Sequence, residues 1–565
     1  MRFPANRRAR WSFRATSTGA ATREVGRRRM RLVVAAFLVT ALLLGGRAVQ
    51  MSVADGDGYL AHAAEPAAGE TPIAPEDRGS IISADGRQLA TSLGAARVVA
   101  TPYLVQEPAK AAEALSRVIS PKTAQSEAEI EEALTKRNPD GALGGYSVVA
   151  SGLDLETAEE VEELGIEGVS LSTDAERVYP EGALASQLLG YVGGYDEAFG
   201  GVEARYDEQL ESGEDVTLTV DSAVQLELEE ALAATVEKND ARSALGLVMR
   251  ADDGAIVALA NSPGYDNAEF TEASAEAQRD RVLTDPYEPG STFKAFTVAA
   301  ALDAGAVTPE SSFTVPDQIQ VADRVIHDSQ PHETKVMAPA DILRESSNVG
   351  AIQVAQALGG SKVEGYIRRF GFGEATGVDL WGEDPGLVPA YEDWSGSSIG
   401  NIPIGQGITV TPLQLVAGYA TLANGGRAVT PHVTRLEEPA ALGPRVISGA
   451  TSDIVRGMLQ GVVDDGSGHN AQIPGYTVAG KTGTSQVVDP NTGTYGGGYV
   501  ASFVGFAPAS DPEYVALVAV DDPGTTYWGE VVAAPAFEDV MSFTLGYFNV
   551  PPDRAKNTPS RGTAG

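Results

Sequence analysis

With 565 residues, 43% of them hydrophobic and none of them cysteine, the chain is long enough for more than one folded domain, and disulfide scaffolds, thiolate metal sites and cysteine nucleophiles are all excluded. A formal net charge of -36 repels phosphate backbones and argues against nucleic-acid binding. The five His are scattered, with only His327 and His332 close together, so no zinc spacing exists and neither a metal nor any other cofactor is expected.

The first 31 residues run against that acidic balance, with ten Arg, no Lys and the single acid Glu24. The apolar run "LVVAAFLVTALLLGG", Leu32 to Gly46, follows directly, fenced by Arg31 and Arg47. An Arg-rich flank ahead of a first apolar segment marks a cytoplasmic side, so residues 1–31 read as a basic cytoplasmic tail and residues 32–53 as a single-pass membrane anchor. The run is short, since its fifteen residues cover about 23 Å of a hydrocarbon core of about 30 Å, and a cleaved signal peptide is the alternative. Either way the rest of the chain is exported to the outer face.

An Ala-, Pro- and Glu-rich linker, Ala61 to Asp77, leads into "GSIISADGRQLATS", two strand-like runs about the Asp85-Gly86 turn. Helical patterns follow near 105–119, 126–137 and 155–164, and residues 54–215 read as a first mixed α/β domain without a catalytic constellation. The texture changes at "DVTLTVDSAVQLELEEALAATVEKND", a strand and then a long amphipathic helix to about Lys238 with Asp221 as its N-cap. Two strands are predicted across Asp252-Asp253-Gly254, and strand and helix signals alternate to about Tyr547, with "YVASFVGFAP" and "EYVALVAVDDP" strand-like. Residues 216–550 form the second domain, and the polar, Pro-rich residues 551–565 a disordered tail.

Three stretches of the second domain carry chemistry. In "EPGSTFKAFTVAA" a Pro-Gly turn puts Ser291 at a helix N-terminus, and the i, i+3 spacing stacks Lys294 one turn above it. An ordinary lysine is almost wholly protonated at neutral pH; burial beside another cation would free the amine to take a serine proton. Taken alone, S-x-x-K is as readily an N-cap followed by a solvated lysine. "RESSNVGAIQVAQAL" adds Ser346 as a proton relay and Asn348 as a donor to a substrate amide. "GYTVAGKTGTSQVV" adds Lys481, Thr482 and Thr484 for a carboxylate, with Gly483 allowing a close backbone approach.

In that order, S-x-x-K, S-x-N and K-T-G-T resemble the penicillin-recognising serine transpeptidases. Together with "DRGSIISADGRQLA", "RVYPEGALASQLLGYVGG", "GGVEARYDEQL" and "IGQGITVTPLQLVAGYATLANGG", they make the exported chain similar to the class B penicillin-binding proteins. The resemblance implies an α+β fold: a transpeptidase domain with a five-stranded antiparallel sheet flanked by helices and a helical subdomain, an elongated pedestal of the dimerisation type, and an N-terminal transmembrane helix. It implies peptidoglycan stem peptides as substrates and beta-lactams as inhibitors. Ser291 would be the acylated nucleophile, Lys294 its base and Ser346 the relay, with an oxyanion hole from the backbone N–H groups of Ser291 and Thr484. Asn348, Lys481, Thr482, Gly483 and Thr484 would bind substrate. "SSNVG" is more like the division-type branch, which includes a sporulation relative, than the elongation branch. The resemblance also implies partners: a membrane-embedded glycan polymerase of the shape, elongation, division and sporulation family, and other divisome proteins. Ser83-Ala84 departs from the Asp-Arg pair common in the first pedestal box. A beta-lactamase or beta-lactam sensor would share the three motifs, but no E-x-x-L-N lies between the second and third. An inactive wall-synthesis scaffold and a carboxypeptidase are the remaining alternatives.

Overall fold

The first chain reversal occurs where the sequence places it. In this computed structural model, which describes residues 78–554 except 124, 139–140, 194–196 and 490–493, Gly86 takes φ +90° in the turn joining β1 (Ile81–Ile82) to β2 (Gln88–Ala100). The basic segment 1–31, the anchor 32–53, the linker to Asp77 and the part of the expected 551–565 tail beyond 554 lie outside the described residues. Residues 551–554 are not disordered, contrary to expectation, because Asp553 accepts from the Thr477 amide at 2.7 Å and the Ser510 hydroxyl at 2.6 Å. Among the described residues no helix is long and apolar enough to cross a membrane.

The pedestal is organised by the long strand β2. It pairs antiparallel with β1, with β3 (Ser147–Leu153) and with β4 (Val169–Val178), while β5 (Val216–Thr217) runs parallel to β1. Helices α1 (Pro108–Thr123), α2 (Glu127–Leu134) and α3 (Leu155–Glu163) cover it, burying Leu115, Ile119, Ile130, Leu134 and Val161 with Val98 and Leu153. A capping box starts α2: the Glu129 amide donates to Ser126 Oγ at 3.3 Å, and the Ser126 amide donates to the Glu129 carboxylate at 2.7 Å. Below the sheet Glu203 is fully buried between two guanidinium groups, with Arg78 Nε at 2.9 Å and Arg177 Nε at 2.7 Å. Removing either arginine would leave a half-paired buried carboxylate, which explains Arg177 of "RVYPEG", Glu203 of "GGVEARY" and Arg78 of "DRGS" structurally.

The pedestal hairpin is tied to the next domain. Asp85 accepts from the Ser222 amide at 3.0 Å and the Ser222 hydroxyl at 2.6 Å, at the start of α4 (Ser222–Asn239). Asp221 caps that helix as its sequence suggests, accepting from the Ala223 and Val224 amides. The hairpin of β6 (Ser243–Arg250) and β7 (Ile256–Ser262) turns at Gly254, φ +84°. After it come α5 (Lys294–Asp303), β8 (Gln318–Val321), β9 (Arg324–His327), α6 (Pro339–Arg344), α7 (Asn348–Leu358), α8 (Pro412–Ala423) and α9 (Gly449–Asp465). The chain then returns through β10 (Ala479–Asp489), β11 (Thr494–Ala507), β12 (Tyr514–Asp521) and α10 (Ala534–Tyr547).

The expected five-stranded antiparallel sheet is present, in the order β10-β11-β12-β6-β7. Both faces are buried, and successive residues serve opposite layers. Val248, Ala258, Phe503 and Val518 pack under α4 and α10 with Leu228, Leu232, Phe537 and Met541. Leu247, Met249, Val504 and Leu517 join the second layer, where the turn before α5 brings Phe293, α5 brings Phe296 and α8 brings Tyr419. This order leaves β10, the strand carrying K-T-G-T, at the sheet edge.

Candidate active site

Pro289 and Gly290 begin the site. Gly290 sits at φ +56°, opening a single 3-10 turn, Gly290–Phe293, that runs directly into α5. The turn is pinned from three sides: the Gly290 amide donates to the Gly405 carbonyl at 3.0 Å, Thr292 Oγ1 to the Pro289 carbonyl at 2.7 Å and Tyr419 Oη to the Thr292 carbonyl at 2.8 Å. Beneath it Phe293 and Phe296 pack against Phe372 with ring centres 5.1 and 4.9 Å away. Ser291 is the residue of this turn left half-exposed, and it lines a cavity of about 880 Å³.

Lys294 is fully buried on the first turn of α5. Its Nζ donates to the Ser346 carbonyl at 2.5 Å and to Ser346 Oγ at 3.3 Å, so the lysine engages the second motif. Burial pushes its pKa down to about 7, with the carboxylate of Asp328 acting in the opposite direction.

The second motif is a junction between two helices. The Ser347 amide donates back to the Ile342 carbonyl as α6 ends, and Ser346 occupies φ +57°, the left-handed position glycine usually fills after a helix. Ser347 Oγ then caps α7, accepting from the Gly350 amide at 2.9 Å. The Asn348 side chain lines the cavity and donates to the His327 carbonyl at 2.8 Å, so a substrate amide would have to share or displace that bond.

The third motif closes the site from the sheet edge. Lys481 is fully buried, and its Nζ reaches Ser346 Oγ at 3.0 Å, Thr482 Oγ1 at 3.2 Å and Ser467 Oγ at 3.4 Å. Burial first and Lys294 second hold it well below the usual lysine range, against a small upward pull from Glu530. One hydroxyl, Ser346 Oγ, thus lies between the two amines. Thr484 Oγ1 donates to the Tyr527 carbonyl at 3.2 Å, and Ser346, Asn348, Thr482, Gly483 and Thr484 line the same cavity as Ser291. All eight residues expected from sequence therefore meet at one site.

Sequence reasoning missed Ser467, in the "DGSGHN" stretch after α9, because a serine in a Gly-rich loop gives no signal of its contact with a lysine far along the chain. It also missed Asp328, whose neighbours are assembled only by tertiary folding.

A side chain at Gly483 would not fit. A Cβ there would lie 2.3 Å from Ser502 Oγ, 2.9 Å from Thr292 Cγ2 and 3.2 Å from the Pro289 carbonyl. Gly483→Ala must push β10 away from the serine turn, and a displacement near 1 Å costs about 10²-fold in rate. We expect penicillin acylation to slow by about that factor; a wild-type rate would show that strand and turn need not touch.

Comparison with known proteins gives one consistent result. Residues 244–542 match the family described as penicillin binding protein transpeptidase domain, and residues 73–225 the penicillin-binding protein dimerisation domain. Stage V sporulation protein D of Bacillus subtilis is 30% identical over 93% of this chain and 86% of its own length. Peptidoglycan D,D-transpeptidase FtsI of Escherichia coli K12 is 30% identical over 84% of each. Among solved structures, penicillin binding protein 3 of Mycobacterium tuberculosis complexed with aztreonam superposes with a TM-score of 0.67 at 27% identity, covering 85% of this chain and 98% of that one. The family resemblance and the α+β fold it implies, a transpeptidase domain with a dimerisation-type pedestal, are both borne out, while the N-terminal transmembrane helix lies outside the described residues.

Proposed function

The chain belongs to the class B penicillin-binding proteins, and from that premise we propose that it is a peptidoglycan D,D-transpeptidase cross-linking stem peptides through an ester on Ser291. The observation that carries the reading is the convergence of three distant segments on one hydroxyl: Lys294 and Lys481 both reach Ser346 Oγ beside a cavity that Ser291 lines. Ser291 Oγ attacks the penultimate D-Ala carbonyl while its proton passes to neutral Lys294. The C–N bond then breaks, and the departing D-Ala amine takes a proton through the Ser346 hydroxyl. An amine of a neighbouring stem attacks the ester next, forms the new amide and returns the proton to serine. A beta-lactam acylates the same hydroxyl, but its ring opens without losing a leaving group, so the acceptor's approach stays blocked.

The oxyanion is assigned to the backbone N–H groups of Ser291 and Thr484, the substrate amide to Asn348 and the terminal carboxylate to Lys481, Thr482 and Thr484. Gly483 keeps β10 close to the turn. The domain reading is an anchor at 32–53, a pedestal at 54–215 and a transpeptidase domain at 216–550. A septal role is inferred from the "SSNVG" motif and from likeness to a sporulation protein. The glycan polymerase would be held through the anchor and pedestal.

The test is the stoichiometry and pH dependence of acylation. A fluorescent penicillin should label the full chain once, on the peptide containing Ser291, and a chromogenic cephalosporin should be turned over very slowly; rapid turnover would favour a beta-lactamase. Because Lys294 must be neutral to act and its pKa lies at about 7, the acylation rate should climb through that pH and fall about tenfold per unit well below it. A rate independent of pH from 5 to 9 would remove Lys294 as the base.

A further inference from the structure

The segment after β9 runs behind the second motif. Asp328 there is nearly buried, its side chain 7% exposed, and both its oxygens are engaged. Oδ1 accepts from the Val349 amide at 3.0 Å and Oδ2 from the Ser347 hydroxyl at 2.7 Å. His332 completes the group: its Nε2 lies 2.9 Å from Asp328 Oδ2, and its Nδ1 lies 2.7 Å from the Glu333 carbonyl. Both ring nitrogens face oxygens that only accept, and an imidazole satisfies both at once only as the imidazolium. The carboxylate behind the second motif therefore comes with its own counter-charge.

What this pair fixes is Ser346. A left-handed conformation is unfavourable for a serine, so its neighbours must hold it. Lys294 holds its carbonyl on one side; on the other, Asp328 holds Ser347, the N-cap of α7, and Val349 in its first turn. We propose that Asp328, with His332 as its counter-charge, is a positioning residue for acylation, fixing the start of α7 so that the Ser346 hydroxyl stays between Lys294 and Lys481. Asp328 is not among the residues that line the cavity. The proposal rests on the acyl-enzyme reading above.

A carboxylate in this place also acts through its charge, which mere packing would not do. Asp328 favours the ammonium form of Lys294. The other charges facing the cluster are Lys481 on β10 with Glu530 near it, and Glu333 and Lys335 beside His332, Lys335 itself paired with Glu345. Asp328→Asn leaves all of these in place and keeps an acceptor for the Val349 amide. It removes the anion and turns Oδ2 into a donor, so the Ser347 hydroxyl and His332 lose their acceptor as well. With the charge gone, Lys294 should lose its proton at lower pH.

The experiment measures the second-order rate of labelling by a fluorescent penicillin from pH 5 to 9, with thermal melting in parallel, for the full chain and its Asp328→Asn and Asp328→Ala variants. We expect Asp328→Asn to lose about tenfold at the alkaline plateau, and Asp328→Ala about a hundredfold, the range known for hydrogen-bond partners that orient metal ligands. In Asp328→Asn the acid limb should move to lower pH by about half a unit or more. A plateau loss with the limb unmoved would assign Asp328 to packing alone and overturn the proposal, as would wild-type rates in both variants. If Asp328→Ala fails to fold, the asparagine variant decides alone. Failure of the unaltered chain to label at Ser291 would remove the acyl-enzyme reading first, and this proposal with it.

Discussion

Ser291→Ala is expected to abolish covalent penicillin labelling while leaving the melting temperature within a degree or two of the wild-type value. The half-exposed hydroxyl lies in a turn held by bonds from Gly290, Thr292 and Tyr419, none of which uses the serine side chain. Its loss should therefore be local. Removing a nucleophile that works as a unit with its base costs on the order of 10⁶ in rate, which takes labelling below detection. Labelling that persists in this variant would place the nucleophile elsewhere.

Lys294→Met separates chemistry from stability in the opposite way. Acylation should fall by about 10³- to 10⁴-fold, the upper part of the range for a general base. The fold should not suffer comparably, because a buried lysine is itself a burden. Its folded pKa of about 7 lies below the unfolded value of 10.5, so the folded state resists the proton. The resulting penalty is largest below pH 7, on the order of 5 kcal/mol, and fades as pH rises to the unfolded value. Methionine removes it but leaves the Ser346 carbonyl without its donor, which costs about 1–3 kcal/mol. The melting temperature should thus hold or rise near neutral pH, and the wild type's gain in stability between pH 7 and 10 should be flatter in the variant. A variant that unfolds outright would mean that Lys294 is held for structure.

Local features of this chain were legible because short-range chemistry determines them. Asp221 caps α4 with its own side chain, Gly86 and Gly254 supply the positive φ of their hairpin turns, and the i, i+3 spacing of Ser291 and Lys294 puts both at the start of one helix. What the sequence could not supply were relations between distant segments. Nothing near "KTGT" says that β10 lies at the sheet edge, or that Lys481 would share a hydroxyl with Lys294. The i, i+3 spacing suggests that Lys294 serves Ser291, yet its amine is bonded to Ser346; the helical repeat gives the face of a residue and not the partner its long side chain finds. Asn348 was expected as a donor to substrate, and the nearby His327 carbonyl already holds it. The helix α10, which backs the sheet with Phe537 and Met541, was not singled out because its apolar face is read only against the strands it covers.

Lys294 and Lys481 count as two cations in the formal charge of -36, yet among the described residues neither is paired with a carboxylate. Burial pushes the pKa of both amines down, so the pocket is less positive than its composition implies. In the reading proposed above, an anionic ligand beside Lys481 favours its ammonium form against the burial that opposes it, so the ligand's entry is coupled to the uptake of a hydrogen ion. Binding and proton uptake then form a single equilibrium, and the solvent supplies the counter-ion that the folded chain withholds.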